Sequence, residues 1–154
     1  MPKLLRAVRL DDSDEQVFRS CGAAADGEWV TTAGFAVCDF ENAPRCEPAC
    51  HCQDSFMSIA SRSRCTIAEV VEVSEAELEA HVDALAWQLV KGWNAPSFEA
   101  ARALAEDEVR HTTEVCETLS PEVWITVKRE RRADGNLDEQ YSVYDRLLIG
   151  THPA

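Results

Sequence analysis

The segment from Ser74 to Cys116 constrains this chain most, because it reads as two amphipathic helices joined so tightly that they must be neighbours. Ser74 followed by Glu77 is a capping box, in which the two side chains reciprocally satisfy free amides at a helix start. Leu78, Val82, Leu85, Leu89 and Trp93 then recur at helical spacing and predict one apolar stripe. Gly92 and Asn94-Ala95-Pro96 end that helix, since proline cannot continue it. Ser97 caps a second helix, whose stripe runs Phe98, Ala101, Ala105, Val109, Thr112 and Cys116, with Pro121 as its stop. So short a connection predicts an antiparallel αα-hairpin. Its Leu78, Val82, Leu85, Leu89, Phe98, Ala105, Val109 and Cys116 should face a sheet.

The flanks supply that sheet. Leu4 to Leu10 reads as a short strand, ended by the acidic stretch Asp11 to Glu15, which reads as a solvated loop. Glu28 to Phe40 is a longer strand candidate with apolar residues at both parities, as expected where both faces are covered. A third strand centres on Thr66 to Val73, dense in β-branched residues. After the helices, Val123, Ile125 and Val127 alternate with mostly polar neighbours. Asp134-Gly135 supplies a hairpin turn, and Tyr141 to Ile149 is the return strand. Strands, two helices, then strands predict an α+β fold: an antiparallel sheet with the αα-hairpin packed on one face. With no repeat or linker in view, residues 1–154 read as a single domain.

Charge limits the function classes. The net charge of −13 repels a phosphate backbone, so nucleic acid and anionic membrane surfaces are poor partners and a basic protein surface is a better one. Met1 to Leu10 lacks the apolar run of a secretory signal, and no segment has the length to cross a bilayer. A cytoplasmic location follows as the expectation. There, thiols stay reduced, and seven cysteines form an odd set for a disulfide framework.

Three of those cysteines crowd into Cys46-Glu47-Pro48-Ala49-Cys50-His51-Cys52. Cys46, Cys50 and Cys52, with His51, Cys38 or Cys65 as a fourth ligand, could hold zinc or another thiophilic metal, or could act as a redox thiol pair. Their spacing is neither a zinc knuckle nor a ferredoxin run, which favours an exposed loop without chemistry and no cofactor. Pro44 and Pro48 place that loop at the surface.

Glu108-x-x-His111 matches the carboxylate–histidine pair of di-iron bundles, with Glu77 and His81 on the neighbouring helix. His111 lies about 140° from its own stripe at ~100° per residue, and a second such pair is missing, so His111 reads as a partly exposed residue without a metal. Cys116, on the stripe, reads as a small buried hydrophobe. No nucleophile elbow, phosphate loop or zincin motif occurs, so catalysis has no motif behind it. Lys128-Arg129-Glu130-Arg131-Arg132 concentrates basic charge at one hairpin end. It predicts an exposed arm, read either as a guarded edge strand or as a docking patch of Lys128, Arg129, Arg131 and Arg132 for an acidic partner.

The chain resembles a proteobacterial family of uncharacterised proteins. The likeness rests on Arg6-Ala7-Val8-Arg9-Leu10-Asp11 with Ser13-Asp14, Gly27-Glu28-Trp29, Phe35-Ala36, Arg64, Thr66, Ala95-Pro96-Ser97, Glu106 to Val109 and Val115-Cys116. The resemblance implies a small accessory protein that accompanies molybdenum and iron–sulfur oxidoreductases of the formate-dehydrogenase type. The Cys46 to Cys52 cluster departs from that pattern. The expectation is a non-catalytic accessory or protein-interaction domain, with a thiol or metal protein as the alternative.

Overall fold

The computed structural model describes residues 1–18, 22–32, 52–92, 95–134 and 136–145. Its elements are β1 (Lys3–Val8), α1 (Ser13–Val17), β2 (Trp29–Thr31), a 3-10 turn at Cys52–Asp54, β3 (Phe56–Ser58), β4 (Arg64–Cys65), β5 (Ile67–Glu72), α2 (Glu75–Gly92), α3 (Phe98–Cys116), β6 (Trp124–Arg131) and β7 (Leu137–Tyr144). The seven strands form one sheet in the order β4-β3-β2-β1-β5-β6-β7, every pairing antiparallel. The fold is α+β.

Period-2 alternation divides the sheet's apolar residues between two clusters. Leu4, Met57 and Trp29 join Val82, Leu85, Leu89, Ala101, Ala105 and Val109 of the helices. Their chain neighbours Leu5, Phe56 and Val30 join Ala68, Val70, Ile125, Val127 and Cys116. Of the predicted stripe, Leu78 and Phe98 are only partly buried. Both helix starts are capped as their serines imply. The Ser74 amide donates to Glu77 Oε1 at 3.2 Å and the Glu77 amide to Ser74 Oγ at 3.1 Å. The Ala100 amide donates to Ser97 Oγ at 3.1 Å. Each cap is worth about 1 kcal/mol. Helix α3 ends at Cys116, ahead of Pro121.

The second cluster shows that the sheet is curled. Four strand spacings separate β3 from β6, about 19 Å in a flat sheet. Yet Arg129 of β6 hydrogen-bonds the carbonyls of Gln53 and Ser55, which lead into β3. Only a sheet bent toward closure brings those two strands together.

Several sequence expectations change. Asp11 to Glu15 is not a plain loop: Ser13–Val17 forms α1, and Asp14 is buried with its carboxylate accepting from the Thr66 hydroxyl at 2.8 Å. Strands β3 and β4 were too short to leave a periodic signal. The return strand of the last hairpin begins at Leu137, not Tyr141, because β7 pairs with β6 from Arg131↔Leu137 onward. Of the Glu28 to Phe40 candidate, β2 covers Trp29–Thr31, and residues 33–40 lie outside the described set. No described helix is long and apolar enough to cross a membrane.

Candidate functional site

The predicted basic arm is the clearest correction. Strand β6 points Ile125, Val127 and Arg129 inward, so Arg129 follows the parity of the apolar residues before it and is 1% exposed. Lys128, Glu130 and Arg132 are exposed. Arg132 lies 3.4 Å from both Asp134 and Asp138, which offsets its charge. The side chain of Arg131 lies outside the described residues, although its backbone pairs with Leu137. Arg129 therefore does not belong to an exposed docking patch.

It is instead the clasp of the curled sheet. Its Nε donates to Glu139 Oε2 at 2.6 Å, from the residue directly opposite on β7. One terminal nitrogen donates to the carbonyls of Gln53 and Ser55, both at 2.9 Å, and the other to the carbonyl of Thr32. The Arg129 amide donates to Asp54 Oδ1 at 2.9 Å, and Gln53 Nε2 donates back to the Arg129 carbonyl. A guanidinium suits this task because its planar fork presents several donors at fixed angles, as a lysine cannot. Thr32 and Gln53 stand on either side of residues 33–51, so this one side chain ties both flanks of the cysteine-bearing segment.

Glu139 bridges the clasp to α3. His111 Nε2 lies 3.0 Å from Glu139 Oε1. Burial alone would raise the Glu139 carboxyl, but hydrogen bonds from His111 and Arg129, with their charges, outweigh it and hold it at about 2. The hydrogen bond to Glu139 correspondingly raises His111 above its ordinary value, with burial opposing and the charges of Glu139, Glu108 and Glu114 adding. Tyr141 packs on the inner cluster, its hydroxyl buried without a hydrogen-bond partner in the described structure. Burial and the Glu139 charge raise its phenol above the ordinary range.

The Glu108-x-x-His111 pair is thus split between two tasks. Glu108 accepts from the Thr32 hydroxyl at 2.7 Å, while His111 reaches across to β7. His81 also turns to the sheet, its ring at 76° to that of Trp29 with centroids 4.5 Å apart. Among the described residues no group of three histidine, cysteine or acidic side chains is arranged to hold a metal. Cys46 and Cys50 lie outside the described residues, and Cys52 enters through the backbone of the 3-10 turn alone. Cys116 is fully buried, and burial pushes its thiol up to about 12, with Lys3 opposing, so it is no nucleophile. Buried Cys65 has its thiol raised still further by burial.

The remaining site went unread in the sequence. Glu28, Trp29, Ile59, Ala60, Ala80, His81 and Ala84 line a hollow of about 320 Å³ between α2, the entry to β2 and the β3–β4 turn. Gly27, at φ +88°, makes the left-handed turn that delivers Glu28 and Trp29 to this margin. Small side chains at Ala80 and Ala84, one helical turn apart, leave the space open. On the far side, Gln88 Nε2 donates to the Ala60 carbonyl and holds the β3–β4 turn against the helix. Arg6 stands 5.3 Å from the centre of the Trp29 ring. The only hints in the sequence were Gly27-Glu28-Trp29 and two alanines beside the helical stripe, and neither reveals a hollow until the helix meets the sheet.

Comparison with curated proteins and with solved structures gives no match. A family model spans nearly the whole chain, including both the clasp and the residues around the hollow. The chain belongs to a family of unknown function, DUF6505, whose model matches residues 1–147.

Proposed function

We propose that this chain is a non-catalytic accessory domain that binds another protein through the groove beside Trp29 and His81. The observation that carries this reading is the groove itself, an apolar-lined hollow of about 320 Å³. Its size lies at the lower end of the range for specific binding pockets. Each methylene of a side-chain stem buried there would contribute about 0.8 kcal/mol. In this reading the αα-hairpin is the layer over one sheet face, and its exterior selects the partner. Helices α2 and α3 expose eight carboxylates against three lysine or arginine residues, which favours a basic surface. The resemblance noted above supplies the client class: a molybdenum or iron–sulfur oxidoreductase, met in the cytoplasm.

Affinity capture with the full chain in its native cell tests this. A stoichiometric partner held by the wild-type chain and lost with Ala84→Leu, which fills the hollow from an exposed helical position, supports the reading. Capture of no stoichiometric partner by either chain overturns it.

The alternative, a thiol or metal protein using Cys46, Cys50 and Cys52, draws on one observation. Arg129 anchors the chain on both sides of the segment holding Cys46 and Cys50. Metal analysis of protein purified without oxygen, with thiol titration in denaturant, decides it. Metal-free protein with seven titrating thiols removes the alternative.

A further inference from the structure

We infer that the groove receives a lysine or arginine side chain from a basic segment of the partner; this rests on the accessory reading and specifies its chemistry. The argument begins at Glu28. Its Oε1 accepts from the hydroxyls of Ser58 and Ser61, both at 3.1 Å, and its Oε2 from the Ala25 amide. All three donors are neutral, and no cation among the described residues lies within ion-pair distance of Glu28. They satisfy lone pairs and leave the charge uncompensated. An apolar occupant would seal that carboxylate from water without a counter-charge, which is strongly unfavourable. An anionic occupant would add repulsion to that cost. A cation removes the conflict.

The rest of the wall suits such a side chain. Trp29 already engages one guanidinium, that of Arg6, so its electron-rich ring sits where cations gather. His81 Nδ1 lies 2.5 Å from the Glu77 carbonyl, which can only accept, so Nδ1 is the donor in that contact. Ala60, Ala80 and Ala84 present methyl groups, against which the aliphatic stem of a lysine or arginine packs while its head reaches a carboxylate. The acidic exterior of the helices draws a basic segment toward the groove before contact.

The test uses the full chain, isotopically labelled, titrated with short glycine–serine peptides carrying one central arginine, lysine, norleucine or glutamate. The arginine and lysine peptides should shift the amide resonances of Trp29, Ala60, Ala80 and Ala84 saturably. The norleucine peptide should bind about tenfold more weakly, and the glutamate peptide should leave these resonances in place. Glu28→Gln should reduce arginine-peptide affinity about tenfold. Should Glu28→Gln fail to fold, Ala84→Leu carries the test alone, and it should abolish the shifts while the circular dichroism stays native. Equal binding of norleucine and arginine, shifts confined to other surfaces, or arginine binding indifferent to Ala84→Leu would each overturn the inference. A native partner still captured by Ala84→Leu would also overturn it, and with it the groove as the docking surface, while leaving a partner-binding role elsewhere on the chain. Arginine binding as expected, with no partner captured, would uphold the cationic site and remove the accessory reading together with the partner segment as its occupant.

Discussion

Two arginines show how differently this molecule uses the same side chain. Arg102, on the outer surface of α3, gathers Glu79, Asp83 and Glu106, with distances of 2.6 Å to Glu79 and 3.0 Å to Asp83. Arg129, at the seam of the sheet, gathers Glu139 and three backbone carbonyls. Arg102 has three carboxylates to Arg129's one, yet its side chain remains 30% exposed and that of Arg129 is 0% exposed. Water competes for the bonds of the first far more than for those of the second, whose guanidinium is fully buried. An exposed ion pair therefore adds little, whereas breaking a buried one strands its partners. The surface cluster tunes charge, and the buried one holds the fold closed.

The largest effect should come from Arg129→Ala. The buried carbonyls of Thr32, Gln53 and Ser55 would lose this donor and Glu139 would keep only His111, at a cost of about 3–5 kcal/mol. Urea unfolding monitored by tryptophan fluorescence measures this loss, which corresponds to a fall in melting temperature of roughly 10 °C. Arg129→Lys should recover little, because an ammonium on a flexible stem cannot span four acceptors. Near-wild-type stability in either variant would show that the sheet closes without the clasp.

Acid comes next. Glu139 titrates at about 2 in the folded chain against an ordinary value of 4.5, so its stabilisation is complete above that ordinary value and is lost as pH falls through about 2. Glu139→Gln should remove this segment of the acid-unfolding profile. An unchanged profile between pH 4.5 and pH 2 would break the link between Glu139 and the clasp.

A smaller effect should appear at neutral pH with the opposite sign. His111 is raised in the folded chain, so its contribution is complete below its ordinary value of 6.5 and fades as pH rises through the raised one. Stability should decline slightly across that window in wild type and stay flat in His111→Ala. A decline that survives the substitution must originate elsewhere.

The smallest change should be at Arg102. Arg102→Ala should leave the urea midpoint near that of wild type, and added salt should narrow the difference further. A loss rivalling that of Arg129→Ala would erase the contrast between surface and seam.

How much of this was legible depended on the range of each signal. The capping box at Ser74 and Glu77, the Ser97 cap and the stripes of α2 and α3 depend on contacts within a turn or two, and they were read directly. The parity of Arg129 was legible as well, since it continues Ile125 and Val127 at period 2. The concentration of four basic residues in the five positions from Lys128 to Arg132 hid it. Glu139 could not be chosen as its partner until the register Arg129↔Glu139 was known, because the hairpin turn sets that register. The contacts to Thr32, Gln53 and Ser55 had no local trace.

The sequence by itself determined the helix pair, its caps, the strand-rich flanks, the acidic charge and the buried fate of Cys116. Local propensity and periodicity are properties of neighbouring residues, so they survive without a fold. Only the tertiary structure decided the strand order, the closure of the sheet on Arg129, the splitting of Glu108 from His111, and the hollow beside Trp29. Each of these joins residues far apart in the chain, as Arg129 and Thr32 are. Sheet curvature and the meeting of α2 with the β3–β4 turn create those contacts, because burying both faces of the sheet leaves a charged side chain inside it only where acceptors from several strands converge.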